Sequence, residues 1–370
     1  MINRLLVENF KCFTKLELEM SNLNVLSGIN GMGKSTMIQA LLLLRQSYES
    51  GVLRKGLYLN GSLVNIGTGK DLICRYGDID EIKIGIISEN NKYKWEYEYK
   101  ESSDYLKLLK NLSEDGIVKV EDNILFSNNF EYISAERLGP RRNYKTSYFD
   151  VYDKNQIGLQ GEMSVYYLAE KGRDKLENEL VLHESEKNNL LELQVNAWLS
   201  EISPGVKVEV KNYRDARLVG LNYAMKGKSG IDEYSAVNVG FGISYILPIV
   251  ITLLKAKKGD FIILENPEAH LHPRGQRKIG ELISKAAAGG VQIVVETHSD
   301  HLLNGLRIAV KNGIISNDKI KLNYFYVIED SDGKVITHDK TTPIIMEDGS
   351  LSDWPIGFFD EWDIAIDELF

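Results

Sequence analysis

Four short stretches of this chain hold residues that could work on a phosphate ester. The first is Gly28-Ile29-Asn30-Gly31-Met32-Gly33-Lys34-Ser35, which fits G-x-x-x-x-G-K-[ST]. Its three glycines let the backbone curl so that N–H groups point inward at phosphate oxygens. Lys34 can reach the β- and γ-phosphates, Ser35 offers a hydroxyl to Mg²⁺, and a following helix N-terminus adds positive potential. Asn30, Gly31, Gly33, Lys34, Ser35 and Thr36 are therefore candidate nucleotide-binding residues. The second stretch runs Phe261-Ile-Ile-Leu-Glu265-Asn266-Pro267-Glu268-Ala269-His270-Leu271-His272-Pro273. An apolar strand that ends in acids places carboxylates beside a nucleotide's Mg²⁺. The third, Val291-Gln-Ile-Val-Val-Glu296-Thr297-His298-Ser299, is again an apolar strand ending in a polar cluster, and the fourth is Asn238-Val239-Gly240-Phe241-Gly242.

Positioning these residues needs strands and helices in a fixed order. Leu16 and Leu18 alternate with charged neighbours, and Leu23–Leu26 reads as a short strand that leads into the glycine turn and a helix over 34–46. Runs at 82–87 and 93–99 predict antiparallel strands. Residues 161–199 predict two or three helices with a break at 202–205, and Val206, Val208 and Val210 predict a half-buried strand. Ile243, Ile246, Leu247, Val250, Leu253 and Leu254 share one helical face. Strand 261–264, helix 275–288, strand 291–295 and helix 300–311 then alternate, followed by strands at 322–327 and 334–338. The expected division is an N-terminal lobe (1–135), a mainly helical insertion (136–205), a C-terminal lobe (206–330) and a terminal segment (331–370).

Composition narrows the setting. The 370 residues are 43% hydrophobic and 26% charged, ordinary for a globular protein. With 44 Lys plus Arg against 53 Asp plus Glu, the net charge of −9 argues against non-specific coating of nucleic acid, though not against a local basic patch. Cys12 and Cys74 are too few for a disulfide framework or a four-cysteine zinc site. The longest apolar stretch, Gly242–Leu254, is shorter than the ~20 residues that span a bilayer. These features predict a soluble, cytoplasmic protein.

Taken together, the motifs resemble those of ABC-class ATPases of the SMC, RecF and OLD group, and more narrowly the compact bacterial members. The resemblance rests on the glycine loop, Glu265–Pro273 as the Walker B segment and Asp353-Trp354-Pro355-Ile356-Gly357-Phe358-Phe359-Asp360 near the end. Tyr132–Arg141 and Gly158–Glu162 also match. It implies an α/β fold: a P-loop ATPase head with a mixed sheet, an antiparallel β subdomain and a helical insertion. It implies ATP and Mg²⁺, the metal held by Ser35 and Glu265. It further implies a nucleotide sandwich, in which Asn238 and Gly240 of one subunit close over the γ-phosphate bound by another, with His298 as the switch histidine. A homodimer or higher homo-oligomer follows.

This sequence departs from that pattern where chemistry is decided. The usual Asp-Glu-Pro of Walker B is Glu265-Asn266-Pro267. Asn266 can position water but cannot accept a proton as a carboxylate does, so Glu268 becomes the replacement base. His272 stands at the usual aspartate of the D-loop. Slow hydrolysis is expected, with Lys34, Glu265, Asn266, Glu268 and His298 as the catalytic set. His270-x-His272 and His298-x-x-His301 have spacings that can bind zinc, but the Walker B and switch readings account for three of the four, and His301 suits a plain helix face. Arg137, Arg141, Arg142 and Lys145 could meet nucleic-acid phosphates near Arg141, an acidic partner, or intramolecular acids. Trp354, Phe358, Phe359 and Trp362 suit a core cover better than a docking surface.

No heptad run supports a coiled-coil arm, and the residues after His298 leave too little room for a nuclease domain of ordinary size. Any further chemistry is expected from a separate effector, a nuclease or toxin encoded nearby, in defence against phage. The alternatives are a DNA repair or recombination ATPase of the RecF type and an ATP-bound scaffold that does not hydrolyse.

Overall fold

The computed structural model describes residues 1–77, 81–88, 91–113, 123–226, 231–238, 240–359 and 361–369. It divides into two compact units. One comprises Met1–Phe130, Ile320–Ile344 and Leu351–Phe370; the other comprises Glu131–Lys319 and Ile345–Ser350.

The first unit opens with β1 (Ile2–Phe10) and β2 (Phe13–Glu19), an antiparallel pair with Leu5 opposite Leu18 and Val7 opposite Leu16. Alternation of apolar and charged residues fixes that register, because a one-residue slip would turn the leucines to solvent. β3 (Leu23–Gly28) is buried up to its last residue and runs through the glycine turn into α1 (Lys34–Glu49), most of which is buried. β4 (Gly56–Tyr58), α2 (Gly69–Leu72), β5 (Glu81–Ser88), β6 (Asn91–Glu98) and β7 (Tyr105–Ser113) follow. The strands form an antiparallel sheet in the order β2-β1-β5-β6-β7-β4, with Tyr93, Trp95 and Tyr97 in its core. The runs at 82–87 and 93–99 are β5 and β6.

In the second unit, β8 (Phe130–Ile133) is followed by β9 (Asn143–Lys145), a π-helical turn at Phe149–Asp153, α3 (Ser164–Lys171) and α4 (Leu191–Ile202). β10 (Val206–Tyr213), β11 (Leu218–Lys226) and β12 (Ile231–Ser235) come next, and with β9 they make a four-stranded antiparallel sheet. α5 (Phe241–Lys255) is apolar around most of its circumference and correspondingly buried. β13 (Phe261–Glu265), α6 (Pro273–Ala288), β14 (Gln292–Glu296) and α7 (Asp300–Lys311) then alternate. β13 and β14 are parallel, with β8 beside β13, and their continuous apolar runs suit strands covered on both faces. α6 and α7 cross closely because Gly280 and Gly305 face each other: a Cβ on Gly280 would lie 2.5 Å from the Leu302 carbonyl.

The chain then returns to the first unit as β15 (Ile320–Glu329), β16 (Val335–Thr341) and α8 (Glu361–Leu369). β15 runs parallel to β3 and antiparallel to β16, which makes this group mixed. The terminal helix is not evident in the sequence, whose reading stops at an aromatic segment. Among the described residues the longest helices, α1 and α6, have 16 residues, and no helix is long and apolar enough to cross a membrane.

Candidate functional site

The glycine loop sits wholly in the first unit. β3 delivers Gly28 with φ of 137°, and a Cβ there would lie 2.5 Å from the Phe325 carbonyl of β15. Gly33 caps α1 with φ of 104°, and its Cβ would strike the Phe13 ring and lie 2.8 Å from Cys12 Sγ. Neither position tolerates a side chain. Gly31 is also left-handed, at 83°, but faces open space. Lys34 is buried along its stem and donates to the carbonyls of Gly28 (2.8 Å) and Ile29 (3.0 Å). Asn30, Gly31 and Ser35 are exposed, and Thr36 is buried with its hydroxyl 3.6 Å from Cys12 Sγ.

One residue of this half escapes sequence reasoning. His338 of β16 lies against the backbone of Gly31 and Cys12 and stands edge-on to the Phe13 ring, 6.2 Å away. Burial holds its pKa below the usual histidine value, against the opposing pull of those backbone groups. No local pattern marks a histidine on a half-exposed edge strand, because the strand pairing alone brings it to the loop.

The acidic turn lies in the second unit, at the C-terminal ends of β13 and β14, where Glu265 pairs with Glu296. Glu265 Oε2 accepts from the Ala135 amide at 3.0 Å. Burial raises its pKa, while the Ala135 N–H, Tyr132 and Arg137 pull it back. Asn266 takes a left-handed conformation, φ 43°, with its amide bound to the Glu296 carbonyl at 2.9 Å. Glu268 is buried, and Oε1 accepts from the His298 amide at 2.8 Å. Burial is also the main cause of its raised pKa. The second oxygen of Glu268 and Oδ1 of Asn266 are buried and without a hydrogen-bond partner among the described residues.

Arg137 holds this turn together. It is 3% exposed and donates to the carbonyls of Ser134 (3.0 Å), Glu265 (2.8 Å) and Asn266 (2.8 Å). Its guanidinium lies 5.4 Å from the centre of the Tyr245 ring. Burial lowers its pKa to about 10 in spite of Glu268, Tyr245 and Glu265 nearby. Arg137 therefore does not share a surface with Arg141, Arg142 and Lys145, which are exposed. Sequence spacing grouped the four, but the chain turns inward at Arg137.

Asn238 and Gly240 are exposed at the entry to α5, with Gly240 as its N-cap; Val239 lies outside the described residues. Gly242 is packed on the acidic turn, since a Cβ there would lie 2.6 Å from the His270 carbonyl. His270 is itself left-handed and stands edge-on to Tyr245 at 4.6 Å. His298 is exposed, and the next residue, Ser299, caps α7. His272 caps α6 by accepting from the Arg274 amide. His301 faces Asp300 at 3.7 Å. Among the described residues no three His, Cys, Asp or Glu side chains gather as metal ligands.

Near the C-terminus, Phe358 is buried against Tyr324 and Trp354, whereas Trp354 is 40% and Ile356 93% exposed. Asp360 and the Trp362 side chain lie outside the described residues. In the first unit the donors suit a nucleotide phosphate: a left-handed glycine turn with the Lys34 ammonium folded over it and the Ser35 hydroxyl at the first turn of α1.

A family model described as "AAA domain, putative AbiEii toxin, Type IV TA system" matches residues 23–304. A second, "Protein of unknown function (DUF3696)", matches residues 315–369. No curated protein matches the chain. Among solved structures, an SMC head bound to the C-winged helix domain of ScpA is 14% identical with a TM-score of 0.52, covering 92% of this chain and 98% of that one. An SMC head with an extended coiled coil, bound to the C-terminal domain of ScpA derived from Pyrococcus furiosus, is 13% identical with a TM-score of 0.52, covering 100% and 99%. The architecture is thus that of an ABC-type P-loop ATPase head.

Proposed function

This chain belongs to the AAA-domain family whose description names the AbiEii toxin, and from that premise we propose that it is an ATP-binding, slowly hydrolysing switch. ATP·Mg²⁺ is held by Asn30, Gly31, Gly33, Lys34, Ser35 and Thr36, with Glu265 on the metal. Glu268 takes the proton of the attacking water, Asn266 orients that water, and His298 contacts the γ-phosphate. Two or more copies close around ATP through Asn238 and Gly240. The assembled form controls a separate effector, a nuclease or toxin encoded nearby, in antiviral defence in the cytoplasm.

The observation that carries the sandwich is the contrast within the second unit. Val237, Asn238, Gly240 and Phe241 are exposed, while Pro267 and Glu268 of the neighbouring acidic turn are buried. A segment that touched only its own nucleotide would have no reason to present Val237 and Phe241, 42% and 57% exposed, to solvent. Slow turnover is supported by Asn266 standing in place of a carboxylate between Glu265 and Pro267.

Light scattering of the eluting protein tests this. ATP, but not ADP, should double the mass of the wild type or raise it further. Gly240→Trp should abolish that shift while ATP still raises its melting temperature, and Lys34→Ala should lose both effects. Turnover should stay below ~10 s⁻¹, the ordinary enzyme median. No change in mass with ATP overturns the switch. Bound ATP with no turnover would favour the scaffold, and stimulation by DNA ends, lost in Arg141→Ala, would favour a repair ATPase.

A further inference from the structure

We propose that the second unit carries a separate site for a nucleotide of a single-stranded nucleic acid, built from the Tyr148–Tyr152 stack and the guanidinium groups of Arg214 and Arg217. None of its residues belongs to the candidate ATP site, so it stands whether or not the switch reading does.

A cavity of about 400 Å³ opens beside the π-helical turn, with Tyr148, Tyr166, Asn212, Arg214 and Arg217 in its wall. That volume is in the range of small-ligand sites. Tyr148 and Tyr152 stack with ring centroids 4.3 Å apart and planes at 15°. The stack is anchored at one end only. The Tyr152 hydroxyl donates to Glu170 at 2.9 Å, and the Lys171 ammonium lies 4.4 Å from its ring centre. Tyr148 is 64% exposed. A rigid aromatic face that ends in solvent is a platform on which a base can continue the stack, and every base has a face to offer.

The charges of the cavity suit a phosphate. Glu170 also lines it, but its two oxygens are engaged by Tyr152 and by the Asn212 side-chain amide at 2.7 Å. Arg214 and Arg217 are exposed and have no carboxylate within 4.0 Å among the described residues. Arg217 sits in the left-handed region, φ 51°, with its carbonyl accepting from Thr146 at 3.3 Å, so the turn that carries both arginines is pinned to the rim. In a chain of net charge −9, two unpaired guanidinium groups beside exposed aromatic rings are a local exception.

The surroundings favour a strand over an isolated nucleotide. β9 pairs with β11, setting Lys145 opposite Leu218, the residue after Arg217. Tyr213, half exposed, lies across Gly220: a Cβ there would be 3.0 Å from its ring and 3.7 Å from the Arg142 carbonyl. Exposed cations and rings therefore continue past the cavity toward Arg142, as a backbone threading along the sheet edge would need.

Fluorescence anisotropy of the full chain tests the site. The probe is a labelled oligothymidylate of about 20 nucleotides, beyond the roughly 4–16 that one small domain covers. Arg214→Ala with Arg217→Ala should weaken binding at least about tenfold and reduce the slope of log affinity against log salt by about 1.4, two phosphate contacts' worth. Tyr148→Ala should weaken it about tenfold with the slope unchanged, and all variants should melt as the wild type does by circular dichroism. Lys34→Ala should bind like wild type, which separates this site from the ATP reading. Unlabelled thymidine monophosphate should compete only weakly. Competition by the monophosphate as strong as by the oligomer would keep the site but assign it to a free nucleotide, against a strand. Wild-type affinity in both the arginine and the tyrosine variants, or duplex bound as tightly as single strand with Tyr148→Ala neutral, overturns the proposal.

Discussion

The glycine loop of the first unit and the acidic turn of the second are built on different principles. In the first unit the glycine loop works through backbone shape: Gly28 and Gly33 are left-handed where a Cβ would collide, and its polar side chains, Asn30 and Ser35, face solvent. In the second unit the acidic turn works through buried side chains, with Glu265, Glu268 and Arg137 withdrawn from water and held by amides and carbonyls. A loop that must accept a large, hydrated anion can be open and preshaped. Carboxylates that must stay apart and keep a spare oxygen need a low-dielectric setting and a fixed cation. The lesson is that at the glycine loop one ammonium, Lys34, is held by the loop's own carbonyls, whereas in the acidic turn buried carboxylates must be balanced by a cation from elsewhere in the unit.

Three experiments press on that contrast. The largest effect is expected at Glu268, whose Gln variant should hydrolyse ATP about 10²–10⁴-fold more slowly and still bind it. Asn266→Ala should cost less than about tenfold. Phosphate-release assays that rank the two the other way would move the base from Glu268 to water held by Asn266. Next is Arg137→Ala. It strips donors from three carbonyls and leaves buried carboxylates unbalanced, so urea unfolding should show a loss of roughly 2–4 kcal/mol. Arg137→Lys should recover little, because one ammonium cannot span three carbonyls. A neutral Arg137→Ala would mean that the acidic turn holds itself.

The smallest effect concerns His338 at the glycine loop. Its folded pKa is depressed by burial below the unfolded value of about 6.5. The unfolded chain therefore takes up the proton first, and the stability this group contributes is present above about pH 6.5 and lost as pH falls through the folded pKa. His183, also lowered mainly by burial, acts in the same direction in the second unit. Unfolding in urea at about pH 7.5 and about pH 5.5 should show a loss on acidification that His338→Gln reduces but does not remove. An unchanged loss in that variant would mean that His338 is as well solvated when folded as when unfolded.

Much of the architecture was legible because its signals are local. The strand–glycine–helix order at 23–49, the alternation in β2 and β10 and the apolar runs of β13 and β14 each follow from the spacing of a few neighbours. β4 and β7 were not, since neither carries a clean period, and α8 follows an aromatic segment that reads as a cover for the core. At the site, residue types in the glycine loop and the acidic turn were evident, but the partners of the acids were not. Ala135 and Tyr132 reach Glu265 from about 130 positions earlier. Arg137 was grouped with its exposed neighbours because nothing in its flanking residues distinguishes a buried guanidinium from a solvated one.

By itself, the sequence determined which backbone can curl around a phosphate, which residues carry acid, amide and hydroxyl groups, and that an amide, Asn266, stands between Glu265 and Pro267. Those properties belong to residue identity and short-range conformation. Tertiary structure alone decided that Glu268 grips the backbone at His298, that Arg137 is the buried cation of the acidic turn, that His338 lies on the glycine loop and that Arg214 and Arg217 line one cavity with Tyr148. Each of these depends on desolvation and on contacts between segments distant in sequence, which residue identity and spacing do not specify.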